Sequence, residues 1–357
     1  MIEVVDKIPN DVLSSMGFMG HEQVVFCNDK KTGLKAIIAI HDTTLGPALG
    51  GTRMWNYNNE IDALNDVLRL SRGMTFKAAI SGLNLGGGKA VIIGDSYKEK
   101  TEQLMKSFGN FVESLGGKYI TAEDVGMTPQ DMEYVRSTTK HVTGIPESMG
   151  GSGDPSVFTA YGVYMGMKAS AKFKWGSDCL HGKRVLVQGV GHVGYYLMKH
   201  LLKEGAEVII SDIDNDKVEK YCSKYGVTSV EPHTDIYSID MDIYSPCALG
   251  ATLDSVTIPK LKCSIVAGAA NNQCADENIH SELIYNRGIV YAPDFLINAG
   301  GLINVYSEIK GYNREKSLLK TKEIYDTTLE ILLNSETNNI TPQDSAMKIA
   351  LNRLHKK

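Results

Sequence analysis

The sequence predicts an α/β protein in two domains with a cleft between them, on three observations. The chain has 357 residues, above the size at which a single hydrophobic core usually stops growing. A glycine-rich break, Met149-Gly150-Gly151-Ser152-Gly153-Asp154-Pro155, divides it. On both sides of that break short apolar runs alternate with amphipathic stretches, the pattern of an α/β fold.

In the first half, strands are expected near 23–27 and 34–41, with amphipathic helices near 60–70 and 100–115. A glycine run, Gly86-Gly87-Gly88, precedes Lys89 and the apolar strand 90–93. Three glycines in a row give up packing and backbone entropy, so the backbone there must turn tightly or let something approach closely. A phosphate loop does not fit: it needs Gly five residues before the Gly-Lys pair and Ser or Thr after it, where this chain has Leu83 and Ala90. These features predict an α/β domain with a mixed sheet over 1–148, to which the segment 332–357 returns.

After the break a helix starts around Ser156, and then comes the strand-like run 183–188, leading into Gly189-Val190-Gly191-His192-Val193-Gly194. A helix pattern follows, Tyr195, Leu197, Met198, Leu201 and Leu202, and stops at Gly205. The next buried strand, 207–212, ends in Asp212, 212 − 189 = 23 positions beyond the first glycine. G-x-G-x-x-G alone is weak, but placed between strand and helix with that acid it marks a Rossmann-type dinucleotide-binding domain, expected over 149–331. Its glycines let pyrophosphate approach the helix N-terminus, and Asp212 would accept from a ribose 2′-hydroxyl and repel a 2′-phosphate, which selects NAD over NADP; a helix N-cap is the alternative role for Asp212. Strand candidates 242–244, 264–268 and 288–292 continue the sheet, each followed by a small or polar loop, including Asn271-Asn272. A long helical stretch, 315–334, then leads to a C-terminal helix from Pro342.

The net charge of −5 gives no basic face with which to displace counterions from nucleic acid. Met1 to Asp6 lack the basic-then-apolar pattern of a signal segment, and no run reaches 18 apolar residues, so neither secretion nor membrane insertion is expected. Six scattered cysteines without a C-x-x-C pair fit reduced thiols in the cytoplasm. No metal-ligand spacing occurs among nine histidines. The basic end, 353–357, reads as a solvated tail.

Polar residues set among apolar strands and glycines are Lys77 in Gly73-Met74-Thr75-Phe76-Lys77-Ala78, Lys89, and Asp124 in Thr121-Ala122-Glu123-Asp124-Val125-Gly126. With Gly46-Pro47-Ala48-Leu49-Gly50-Gly51-Thr52-Arg53-Met54-Trp55, this set resembles the amino acid dehydrogenases of the Glu/Leu/Phe/Val superfamily, most closely the leucine-specific members, over about 23–314. The resemblance implies reversible oxidative deamination of an L-amino acid by NAD and water to a 2-oxo acid, ammonium and NADH. It implies that Lys77 holds the substrate carboxylate, that Lys89 is the general base that activates water, and that Asp124 handles the amine proton with the Gly50 carbonyl. It places Leu49, Ala122, Leu302 and Val305 around the substrate side chain. Thr159, Tyr195, Asn271 and Asn272 join the glycine loop at the cofactor, and Asn272 also reaches the substrate.

The chemistry is consistent with those roles, since a carboxylate needs a fixed cation and attack of water on an iminium needs a base. Glutamate-specific relatives carry a lysine where this chain has Leu49, and an acidic side chain opposite leucine would be left unpaired. Leu302 stands where Val is usual in leucine-specific members, which implies a shallower pocket. Phenylalanine or valine specificity, and a non-catalytic amino acid sensor that keeps the fold, are the alternatives. By resemblance the chain forms a homo-oligomer, an octamer.

Overall fold

The computed structural model describes residues 11–230 and 234–356; Met1 to Asp6 and Lys357, read above, lie outside them. The chain divides into two compact units: the first comprises Met1–Gly153, Val305–Tyr312 and Arg353–Lys357, the second Asp154–Asn304 and Asn313–Asn352.

The first unit opens with α1 (Val12–Met19), β1 (Gln23–Asp29), β2 (Leu34–Asp42) and β3 (Ala48–Trp55). Next come α2 (Glu60–Ile80), β4 (Gly86–Ile93), α3 (Glu102–Ser114), β5 (Tyr119–Glu123) and α4 (Pro129–Arg136). Its sheet runs β1-β2-β4-β3-β5. β1 and β4 are antiparallel to β2, and β3 is parallel to both β4 and β5, so the sheet is mixed as expected. Helix α2 starts at Asn59, whose side chain accepts from the Asp62 N–H, and it buries Leu64, Val67, Leu68, Ser71 and Thr75 at helical spacing. The sheet separates two cores: Ile37, Leu64, Val67, Leu68 and Val91 cluster on one face, and Ile38, Ala90, Ile92, Phe108, Val112 and Tyr119 on the other.

The glycine run is not a turn. β4 begins at Gly86, and none of Gly86, Gly87 or Gly88 has a positive φ. Close approach is the reason for them. A Cβ on Gly87 would stand 2.1 Å from the Thr75 nitrogen of α2, and one on Gly88 would stand 2.7 Å from the Tyr119 ring. The expected strand 90–93 therefore starts four residues early, because glycines carry no hydrophobic signal for a periodicity to detect.

The second unit contains α5 (Ser156–Trp175), β6 (Arg184–Gln188), α6 (His192–Glu204), β7 (Glu207–Ser211), α7 (Asn215–Tyr225) and β8 (Thr228–Ser229). β9 (Ile243–Pro246), β10 (Ile265–Val266), α8 (Glu277–Asn286), β11 (Val290–Tyr291) and α9 (Asp294–Ile297) follow. α10 (Gly300–Ile309) leads to α11 (Arg314–Lys322), α12 (Ile324–Asn338) and α13 (Pro342–His355). The sheet order is β11-β10-β9-β6-β7-β8, all parallel. Read from β6 as the first strand, this is the 3-2-1-4-5-6 order of dinucleotide-binding sheets, with its switch point between β6 and β9. The expected helix 315–334 is two helices, α11 and α12, meeting at Glu323.

The C-terminal end is not a free tail. Arg353 donates to the carbonyls of Ala79 at 2.9 Å and Leu83 at 2.7 Å, where α2 ends, and Leu354 is buried. Ala79 lies in the last turn of α2 and Leu83 in the loop after it, and the several donors of one guanidinium meet both.

Candidate active site

Alternation along β4 sets the site. Val91 packs with Leu64 and Val67 on the α2 face, while Ala90 and Ile92 lie in the opposite core. Lys89, two positions before Val91, shares the α2 face, and it is 6% exposed. Because Gly87 admits the backbone of α2 at Thr75, the helix whose last turn carries Lys77 lies close against the strand that carries Lys89. Lys77 itself is half-buried.

Two further glycines bring in the acid. A Cβ on Gly51 would meet the Glu123 carbonyl oxygen at 2.7 Å and the Asp124 Cβ at 2.8 Å, and one on Gly50 would overlap the Gly88 carbonyl oxygen. Without side chains there, β3 closes on β4 at Gly50 and on the end of β5 at Gly51, and Asp124, just past β5, reaches Lys89: Nζ to Oδ2 is 2.7 Å. Burial alone would raise the Asp124 carboxyl, but the Lys89 ammonium and then the Arg53 guanidinium outweigh it and hold the group below its ordinary value. The β3–β4 pairing runs through Leu49 and resumes at Thr52. In that gap the Gly50 carbonyl accepts a 2.7 Å hydrogen bond from the buried Tyr119 hydroxyl.

Of the apolar candidates the structure brings Ala122 and Val305 together. Leu49 is 2% exposed, opposite Gly87 and Ile120. The Ala122 Cβ and Val305 Cγ1 both lie 3.9 Å from where a Gly144 Cβ would stand. Leu302, buried, belongs to the second unit.

Sequence reasoning missed Arg53 as a site residue, together with Asp66. Arg53 Nε donates to Asp124 Oδ2 at 3.1 Å and Nη1 to Asp66 Oδ2 at 2.9 Å. One signal was present: Asp66 precedes Lys77 by 77 − 66 = 11 residues, about three helical turns, which places both on one face of α2.

In the second unit each fingerprint glycine has its own task. Gly189 has φ +94°, and a Cβ there would meet Ala248 at 2.7 Å; a Gly194 Cβ would meet the Gly189 carbonyl oxygen at 2.0 Å. Gly191 is different, since a Cβ there meets nothing within 4 Å. It is the N-cap of α6, whose first turn has no side-chain cap. Open space before uncapped N–H groups, at the positions of Gly191, His192 and Val193, is the cradle a pyrophosphate needs. The residues present therefore fit a dinucleotide.

Asp212 Oδ2 accepts from the Val190 N–H at 2.7 Å and Oδ1 from the Asp214 N–H at 3.0 Å. The N-cap of α7 is Asp214, so the capping alternative for Asp212 does not hold. Asn272 has φ +51°, and Asn271 Oδ1 accepts from Asn298 at 2.8 Å. Thr159 Oγ1 donates to the Pro155 carbonyl at 3.1 Å in the first turn of α5. The Tyr195 hydroxyl is 2.8 Å from that of Tyr225, within a cluster that includes Tyr196 and Tyr221. Among the described residues no group of three or more His, Cys, Asp or Glu could hold a metal ion, and no helix is long and apolar enough to cross a membrane.

Two units, one holding a buried lysine–carboxylate pair and the other a dinucleotide cradle, define a pyridine-nucleotide-type dehydrogenase architecture. The Glu/Leu/Phe/Val dehydrogenase dimerisation domain matches residues 21–141, and the Glutamate/Leucine/Phenylalanine/Valine dehydrogenase domain matches 150–215 and 210–355. The chain is 53% identical to the leucine dehydrogenase of Bacillus cereus over 334 residues, 94% of this chain and 91% of that one. It is 48% identical to the phenylalanine dehydrogenase of Lysinibacillus sphaericus, over 97% and 91% respectively. The crystal structure of L-tryptophan dehydrogenase from Nostoc punctiforme superposes with a TM-score of 0.85 at 47% identity, covering 96% of this chain and 98% of that one. The chain belongs to the Glu/Leu/Phe/Val dehydrogenase family and is an amino acid dehydrogenase. This family uses a nicotinamide cofactor.

Proposed function

We propose that the chain catalyses reversible, NAD-dependent oxidative deamination of branched-chain L-amino acids, leucine foremost and also isoleucine and valine. The observation that carries this reading is the 2.7 Å pair between buried Lys89 and Asp124, beside a carbonyl left out of the β3–β4 ladder at Gly50. In this reading Lys77 holds the substrate carboxylate, the Gly50 carbonyl and Asp124 accept hydrogen bonds from the amine, and Asp124 takes its proton. When bound, nicotinamide accepts the hydride from the substrate Cα. Lys89, in its neutral form, then takes a proton from the water that attacks the resulting substrate iminium, and the later loss of ammonium leaves the 2-oxo acid. Asp212 selects NAD by facing the 2′-hydroxyl, and the apolar Leu49, Ala122, Leu302 and Val305 accept a branched aliphatic side chain. The protein works in the cytoplasm as a homo-oligomer.

The relatives named for phenylalanine and tryptophan favour a second reading, an aromatic substrate in the same site. A panel of leucine, isoleucine, valine, phenylalanine, tryptophan and glutamate, read by NADH formation with NAD and with NADP, separates the two. The expected result is that the branched substrates lie within about 10 to 200-fold of one another in kcat/KM and above the rest, with NAD preferred. Phenylalanine or tryptophan ranking first would replace the branched-chain assignment.

A further inference from the structure

Asp124 is held from two sides, and only the Lys89 side has so far been given a part in the reaction. Its Oδ2 receives both Lys89 Nζ at 2.7 Å and Arg53 Nε at 3.1 Å. Arg53 is in turn held by Asp66, whose Oδ2 takes Arg53 Nη1 at 2.9 Å and the Tyr57 hydroxyl at 2.7 Å, while its Oδ1 takes Arg69 Nη2 at 3.1 Å. A guanidinium offers donors in a fixed planar fork, so Nε and Nη1 can bond two carboxylates only when both lie near its plane. The bridge joins β3, α2 and the loop after β5.

We propose that Arg53 is a positioning residue for the reaction: it fixes the Asp124 carboxylate against Lys89, and Asp66 and Tyr57 fix Arg53. The inference rests on the proposed role of Asp124 at the substrate amine. A carboxylate free to rotate would spend part of its time turned from Lys89, and misplacement of a proton-handling group lowers turnover more than binding. The charged and titratable groups that face Asp124 include Lys89 from β4, Arg53 from β3 and the Tyr119 hydroxyl from β5. Of these, Arg53 supplies the second positive charge. If Asp124 must be ionised, activity falls as pH drops through its titration, and removing a neighbouring cation moves that fall to higher pH.

Arg53 also lines a solvent-open recess of about 350 Å³ with Trp55, Tyr57, Asp66 and Val125. A small cation can therefore reach the space that its removal would leave.

The test measures the pH profile of kcat/KM for ammonium-dependent NADH oxidation in the wild type, Arg53→Gln, Arg53→Lys and Asp66→Asn, with NADH binding and melting curves confirming the fold. Arg53→Gln should move the acid limb up by about one pH unit and lower kcat more than it raises KM for the oxo acid. Arg53→Lys should recover part of the loss. Arg53→Ala should regain activity on adding guanidinium far below denaturing concentrations, and not on adding sodium at equal ionic strength. If Arg53→Gln does not fold, Asp66→Asn carries the test through kcat, which should fall while KM for the oxo acid holds, because Arg53 loses its anchor while the lost Asp66 charge by itself moves the acid limb the other way. An unmoved acid limb in Arg53→Gln or, where that variant does not fold, an unchanged kcat in Asp66→Asn overturns the inference. A wild type without ammonium-dependent turnover would instead overturn the reading on which it rests.

Discussion

Two glycine-rich runs, Gly86-Gly87-Gly88 and Gly189 to Gly194, look alike as strings and do opposite work. In the first, every missing Cβ is replaced by protein: the Asp42 carbonyl, the Thr75 nitrogen and the Tyr119 ring occupy the space. In the second, Gly189 and Gly194 are filled in the same way, but Gly191 faces nothing. Glycine in the first unit lets strands and a helix close up until Lys89 and Asp124 meet. Glycine in the second also leaves open space before the first turn of α6, and the atom next to a missing Cβ tells these uses apart where composition does not.

An alanine at each kind of site should separate the two uses of glycine most strongly. Gly87→Ala forces a methyl against the backbone of α2, which cannot step aside cheaply, and should cost about 3 kcal/mol or more in unfolding free energy. Gly191→Ala should leave the melting temperature nearly unchanged and weaken NADH binding, measured by fluorescence titration. Equal losses of stability in the two variants would erase the distinction.

A second expectation concerns what α2 packs against. His21 Nε2 lies 2.8 Å from Ser71 Oγ of α2, its ring edge-on to His41, and burial with the His41 charge pushes its pKa down to about 4 from 6.5. Between those values the unfolded chain binds the proton and the folded chain does not, so stability is full above about 6.5 and falls as pH drops toward 4, by on the order of 3 kcal/mol. Urea unfolding of the wild type and His21→Gln at several pH values checks this. The wild type's advantage should shrink on acidification, and a pH-independent gap would remove His21 as the cause.

In the second unit, Asp212→Asn keeps an oxygen for the Val190 N–H but loses the charge. It should narrow the NAD over NADP preference by about tenfold, the worth of one charge-assisted hydrogen bond. An unchanged kcat/KM ratio would mean that Asp212 serves only to hold the glycine loop.

The parts legible in sequence were those with local signals. The 183–212 region was readable because strand, glycine fingerprint, helix and acid lie within one stretch of chain, and β6, α6 and β7 follow it. The start of β4 was not readable, since glycine has no side chain to alternate. β3 and β5 were visible only as motif, not as strands, because their small and polar residues at Gly50, Gly51 and Thr121 interrupt the apolar pattern. The Arg53–Asp124 contact spans 71 residues of sequence, and no spacing rule reaches that far. Arg353 looked like a solvated charge because its acceptors, the carbonyls at the end of α2, have no sequence signature at all.

In the proposed reaction Lys89, paired with Asp124 in one unit, performs the proton transfer, while the other unit binds the cofactor. The direct measurement is ammonium-dependent NADH oxidation with 4-methyl-2-oxopentanoate by the wild type and Lys89→Ala, with NADH binding followed in parallel. Oxidation is expected from the wild type only when ammonium is present, with unchanged NADH affinity in Lys89→Ala and a kcat lower by about 10² to 10⁴. A Lys89→Ala protein that binds NADH normally and retains more than about a tenth of the wild-type kcat, well outside that range, would contradict it.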